Sequence, residues 1–185
     1  MGEVSGLEID KHISHDASTI KIQQSVWSGA VQTPKTRNAM REIDISSELA
    51  LMLREFIGKR ESGFLFKSRT GEPLCQTNVL KRSLHPILES MKRQKAGFHA
   101  FRRFRASWLR KNRAPEDLIR FWLGHANQSV TDAYSKLSGD VEFRKDCSEK
   151  IGLGFKIPSS TVDVVPSVPK NEGPALFEQA LENQV

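Results

Sequence analysis

The chain has 185 residues, 38% hydrophobic and 27% charged, and no apolar run approaches the ~20 residues that a membrane-spanning helix needs. Its first residues lack the basic-then-apolar layout of a secretory signal. Its two cysteines, Cys75 and Cys147, lie 72 positions apart, which excludes a disulfide framework and a CxxC metal or redox pair and leads us to expect a reducing, cytoplasmic setting. Lys and Arg number 28 against 22 Asp and Glu, for a net charge of +6.

Residues 18–26 alternate around Ile20 and Ile22 and read as a strand, and residues 41–45 alternate again. Between them stand the turn formers Gly29, Pro34 and Asn38. We expect two or three antiparallel strands over residues 18–45, with a basic loop at Pro34-Lys35-Thr36-Arg37. Ser46-Ser47-Glu48 is an N-cap signature ahead of Leu49, Leu51, Met52, Leu53, Phe56 and Ile57, a helical spacing that Gly58 stops. Gly63-Phe64-Leu65-Phe66 is a short strand candidate.

Residues 76–94 predict a long amphipathic helix with Val79, Leu80, Leu84, Ile87, Leu88 and Met91 on its buried side, bent at Pro86. Residues 99–112 predict a helix with Phe101, Phe104, Trp108 and Leu109 inward and its arginines outward. A shorter helix follows over residues 115–123, with Pro115 in its first turn. Another is expected to start at Ser129 or Thr131, and one more spans residues 140–151. Residues 158–174 hold four prolines and read as linker, and residues 175–184 as a small helix striped by Leu176, Phe177, Ala180 and Leu181. The fold class expected is α+β, mostly α-helical, with a small antiparallel three-stranded β-sheet. The domain division expected is residues 1–157 and a tail at 158–185.

Charge is unevenly spread along this layout. The tail has one base and four acids, so residues 1–157 carry 27 bases against 18 acids. Between Lys92 and Arg113 there are nine bases and no acid. Such a one-sign block marks a polyanion partner or a solvated helix face.

His99 and Arg102 lie at i and i+3, on one face of a helix. A guanidinium can hold the non-bridging oxygens of a phosphodiester while an imidazole beside it moves a proton. Alone, this pair is a weak pattern, and a surface or cap role explains it better. Leu123-Gly124-His125 follows, with 23 positions from Arg102 to His125, and Tyr134, the only tyrosine of the chain, comes nine positions later. His12 and His15 have no third ligand nearby at a metal-site spacing, so no metal is expected.

Taken together, His99-x-x-Arg102, Leu123-Gly124-His125 and Tyr134 resemble the catalytic signature of the tyrosine recombinase (phage integrase) family. Pro34-Lys35-Thr36 and Arg41-Glu42-Ile43-Asp44-Ile45 resemble that family's β-hairpin, whose loop carries a catalytic lysine. The resemblance covers residues 1–150 and implies a DNA strand-exchange enzyme acting through a 3′-phosphotyrosyl intermediate. It implies Tyr134 as nucleophile, His99 as base, Arg102 and His125 on the phosphate, and Lys35 as the acid that protonates the leaving 5′-oxygen. It implies no metal and no other cofactor, double-stranded DNA as partner, a homotetramer on that DNA, and a nucleoid-associated location. Arg37, Arg103, Arg105, Arg110 and Lys111 are expected to touch the DNA backbone. The family's pattern Arg-x-Gly-Glu-x-x-x-Leu matches Gly2, Glu3 and Leu7, which makes Glu3 a supporting acid. It also puts the first catalytic Arg one position before Met1, so the chain is expected to be an N-terminally truncated catalytic domain, impaired alone. Two other classes share the chemistry or the fold: a type IB topoisomerase-like nicking-closing enzyme and a non-catalytic DNA-binding regulator.

Overall fold

The computed structural model describes residues 1–33, 39–125 and 137–157. The expected helix between 129 and 137, the linker and the terminal helix of residues 175–184 lie outside the described residues.

The chain opens with two single-turn helices, α1 (Gly2–Ser5) and α2 (Ile9–His12), followed by strands β1 (Thr19–Ile22), β2 (Ser25–Trp27), β3 (Ala30–Gln32) and β4 (Arg41–Asp44). The antiparallel sheet is present, distributed over two ladders of two strands each: β1 with β4, and β2 with β3. The split has a local cause. Ser28 and Gly29 both have positive φ, 50° and 82°, which is the backbone of a two-residue hairpin turn, and Trp27 pairs with Ala30 across it. β3 is thereby committed to β2, while β4 returns to β1 in the register Ile20 to Ile43 and Ile22 to Arg41.

Helix α3 (Ser47–Ile57) begins and ends where expected. Its cap is not the serine signature itself, since Ser46 makes no capping bond. The Ser47 N–H donates instead to Glu149 Oε2 at 2.8 Å, a carboxylate 102 residues away. Gly63-Phe64-Leu65-Phe66 does not form a full strand. It makes one bridge, Glu8 to Phe64, and the Leu65 N–H donates to Leu7 O at 2.7 Å.

The helix expected over residues 76–94 runs as α4 (Gln76–Val79), a π-helical stretch (Leu80–Leu84) and α5 (His85–Ser90). The wide turns sit directly before Pro86, whose ring and missing N–H conflict with ordinary α-helical spacing. Its apolar side is less covered than expected, with Ile87 54% and Met91 61% exposed.

Helix α6 (His99–Lys111) corrects the expected inward face. Leu109 is fully buried, but Phe101 and Phe104 are 59% and 44% exposed. The inward stripe runs through Arg102, Ala106 and Leu109, at i, i+4 and i+7. Phe101, Phe104 and Trp108 form the neighbouring stripe, where Phe104 stacks on Trp108 and meets Phe155.

Helix α7 (Glu116–Leu123) buries Leu118, Ile119, Trp122 and Leu123 against Leu109 of α6 and against Cys147 and Ile151 of α8 (Val141–Ile151). Asp140 caps α8 by accepting from the Phe143 N–H at 3.2 Å. A second core gathers Leu7, Ile9, Ile22 and Leu65, with Leu53 and Ile57 of α3 packed on it. The two cores meet at β4.

Candidate active site

The site is built on the C-terminal end of α7. A helix leaves its last carbonyls without intrahelical partners. Gly124, left-handed at φ 67° and ψ 35°, closes the helix with a Schellman turn: the His125 N–H donates to Arg120 O at 3.0 Å and the Gly124 N–H to Phe121 O at 3.1 Å. Two arginines take the next two carbonyls. Arg41 Nε donates to Trp122 O at 2.8 Å, and a terminal nitrogen of Arg102 donates to Leu123 O. Cations are favoured there because the C-terminal end of a helix carries partial negative charge.

Arg41 is the organiser of this junction. Its side chain is 5% exposed. Besides Trp122 O it donates to Ala39 O at 2.9 Å and, through both terminal nitrogens, to the two carboxylate oxygens of Glu3, each at 2.9 Å. One guanidinium thus ties α1, the start of β4 and the end of α7. Close approach follows. A Cβ on Gly124 would stand 3.0 Å from an Arg41 terminal nitrogen, so that position needs glycine for space as well as for its positive φ. A Cβ on Gly2 would lie 2.9 Å from Val26 O, so glycine also lets α1 rest against β2 and deliver Glu3.

Beside the junction opens a cleft of about 720 Å³, lined among others by Glu3, Trp27, Phe98, His99 and Arg102. His99 is exposed and Arg102 half-buried, and α6 sets them one turn apart with both in the cleft. His125 is exposed immediately after the Gly124 that packs on Arg41. Three expected site residues, Glu3, His99 and Arg102, therefore share one cavity, and His125 follows by two residues the Leu123 carbonyl that Arg102 holds. Lys35, Arg37 and Tyr134 lie outside the described residues.

Among the expected DNA-backbone contacts, Arg103 and Lys111 are exposed. Arg110 is exposed and lies 3.5 Å from Glu116. Arg105 has a structural partner. It is half-buried, burial pushes its pKa down, and it donates to Gly152 O at 2.5 Å, so its guanidinium secures the end of α8. At i−4 from Leu109 it is drawn towards the inward stripe. Of the two histidines without a metal-site spacing, His12 is buried and its Nδ1 accepts the Glu8 N–H at 2.9 Å.

Burial works to raise the Glu3 carboxyl pKa, but the Arg41 hydrogen bonds and the charges of Arg41 and Arg102 outweigh it and hold it below the usual carboxylate range. A depressed folded-state pKa contributes stability that is fully present above the unfolded value and is lost as pH falls through the folded one. Glu3→Gln is therefore expected to flatten the fall of the melting temperature below about pH 4.3, the ordinary glutamate pKa. Thermal unfolding from pH 7 to pH 3 checks this, and parallel curves for the two proteins would disprove it.

Arg41 is a residue that the sequence did not single out. It reads there as one position of an alternating strand, and its carboxylate partner is 38 residues away.

Comparison with known proteins agrees with this architecture. Residues 1–139 match the model of the phage integrase family. The chain belongs to the phage integrase family. A curated relative, the tyrosine recombinase XerC-like protein of Caldanaerobacter subterraneus subsp. tengcongensis, is 30% identical over 115 residues, covering 54% of this chain and 29% of that protein. Among solved structures, the integrase of transposon Tn1549 in complex with a circular intermediate DNA shares the fold, with a TM-score of 0.54 and 17% identity over 74% of this chain and 53% of that one. Another structure of the same integrase, with transposon right end DNA, gives a TM-score of 0.56 and 20% identity over 68% and 46% of the two chains. The chain thus spans under a third of the curated relative and about half of the solved chains. Its fold is the α+β, mainly helical catalytic fold that its motifs led us to expect. Among the described residues no helix is long and apolar enough to cross a membrane.

Proposed function

We propose that this chain carries the strand-exchange chemistry of a site-specific DNA recombinase, cutting and rejoining duplex DNA through a 3′-phosphotyrosyl link. The observation that carries the proposal is the joint presence of Glu3, His99 and Arg102 in one cleft, next to His125 and the capped end of α7, in a member of the phage integrase family. The Tn1549 integrase structures are DNA complexes, which supports duplex DNA as the partner here. The net positive charge of residues 1–157 gives that partner a reason to bind.

In this reading the Tyr134 phenol oxygen attacks the scissile phosphorus, and the bond from phosphorus to the 5′-oxygen breaks. An unperturbed tyrosine, with pKa near 10, is about one part in a thousand ionised at pH 7, so His99 takes the proton as the bond forms. Arg102 and His125 hold the non-bridging oxygens and offset the charge of the pentacoordinate state. Lys35 protonates the departing 5′-oxygen. The phosphodiester is exchanged for a phosphotyrosyl ester, and attack by another 5′-hydroxyl reverses the step. No nucleotide cofactor is required by that balance. Assembly as a homotetramer on DNA belongs to the same reading.

A duplex nicked beside the scissile phosphate traps such an intermediate, because the short 5′-hydroxyl strand diffuses away. With a site taken from DNA flanking the gene, the protein extended upstream by the segment expected to carry the first catalytic Arg is expected to give a covalent protein–DNA adduct on a denaturing gel, and its Tyr134→Phe variant to give none. An adduct that survives Tyr134→Phe overturns the assignment of the nucleophile. DNA binding without any adduct favours a non-catalytic regulator with this fold.

A further inference from the structure

Helix α8 starts after the residues matched by the family model, which end at 139. Its Arg144 is fully buried and faces a carboxylate that is also fully buried. Arg144 Nε donates to Asp44 Oδ2 at 2.7 Å, and one terminal nitrogen donates to Glu42 Oε2 at 2.9 Å. The other terminal nitrogen donates to two consecutive backbone carbonyls, Leu137 O and, at 2.9 Å, Ser138 O. The face of the guanidinium lies 5.1 Å from the Phe121 ring centroid.

Neutralising Arg144 requires only Asp44. The grip on Leu137 and Ser138 does something different. It anchors the chain where it enters α8, and it does so from inside the core. Tyr134 is three residues upstream of Leu137. The same carboxylate reaches the cleft: Trp122 Nε1 donates to Asp44 Oδ2 at 3.0 Å, and Trp122 O is the carbonyl that Arg41 holds. Asp44 therefore references two things to one point, the end of α7 that Arg41 and Arg102 hold and the Leu137–Ser138 backbone that leads into α8.

We propose that Arg144 is a positioning residue for Tyr134, acting through the Leu137–Ser138 backbone that follows the nucleophile in the sequence. This rests on the reading of Tyr134 given above. Arginine suits the task because its planar fork can bond a carboxylate and two carbonyls at once, whereas a lysine ammonium has three donors at a single point. Among the described residues, the groups facing the guanidinium are Asp44 and Glu42 from β4, Phe121 from α7, and the two carbonyls.

The test compares three variants with the parent protein, all extended upstream as above, on the nicked duplex. Arg144→Lys keeps the charge and loses the fork. One glycine inserted between Lys136 and Leu137 leaves the buried cluster whole but adds a residue between anchor and tyrosine, so it keeps the test valid if Arg144→Lys folds poorly. Leu65→Val trims the other core and serves as a control for lost stability, since Leu65 touches neither α8 nor the cleft's arginines. We expect the first two to slow single-turnover adduct formation at least tenfold with DNA affinity within twofold, and Leu65→Val to stay within twofold on both. Rates within threefold of the parent protein in both the lysine and the insertion variants overturn the proposal. Hydrogen exchange separates it from the reading of Tyr134. Arg144→Lys is expected to speed exchange of the Asp140 and Arg144 amides at least tenfold, and unchanged exchange overturns the anchor. Faster exchange in a protein that forms no Tyr134-dependent adduct would keep the anchor, refute its catalytic role and refute the nucleophile as well.

Discussion

Arg102→Ala is expected to slow formation of the covalent protein–DNA adduct by about two to three orders of magnitude, the effect of losing one charge-stabilising donor worth roughly 2.7–4 kcal/mol in a transition state. The side chain sits half-buried in the cleft with Glu3 and His99, and its resting partner is Leu123 O, a carbonyl of the α7 terminus. Losing that bond costs about 1 kcal/mol of stability. The two effects separate cleanly, because stability is measured by urea unfolding and the chemical step by single-turnover kinetics on a nicked duplex at saturating protein. Arg102→Lys keeps the charge and loses the bidentate geometry, so an intermediate rate is expected. A loss of less than tenfold in the alanine variant would remove Arg102 from the phosphate site.

Arg41→Met should act on the fold first. It removes the donors that satisfy Trp122 O and Ala39 O and leaves the Glu3 carboxylate without its partner. Breaking a buried ion pair from one side costs about 3–5 kcal/mol. The lower end applies here, since the Glu3 side chain is 36% exposed and water can solvate its carboxylate. At roughly 2–4 °C per kcal/mol for a domain of this size, the melting temperature should fall by about 10 °C. Adding Glu3→Gln to Arg41→Met should cost less than the sum of the two single changes, because the charge stranded by the first is gone. Additive losses would mean that Arg41 works through the two carbonyls alone.

The elements were legible in the chain to very different degrees. α3, α6, α7 and α8 follow from caps and stops that lie within a few residues of each helix: Gly58, Pro115, Gly124 and Asp140. Those signals are local, and so are the forces behind them. The side of α6 that faces inward was not legible, because Phe101, Phe104 and Trp108 form as good an apolar stripe as the one that contains Leu109. Contact with α7 and α8 decided between them. The same holds for the division of the strands, which turned on backbone angles at Ser28 and Gly29 that residue types only suggest.

The sequence by itself determined the family: residues 1–139 match its model, and the resemblance rests on His99-x-x-Arg102, Leu123-Gly124-His125 and Tyr134. His99 and Arg102 share a helix face because the turn repeats every 3.6 residues. Only the tertiary structure decided what holds those groups. Arg41 finds Glu3 across 38 residues and Trp122 across 81, Arg144 finds Asp44 across 100, and Arg105 finds Gly152 across 47. Such partners leave no periodicity in the chain. A guanidinium buried by distant packing must be satisfied by whatever acceptors the fold brings to it, and those are known only once the helices have met.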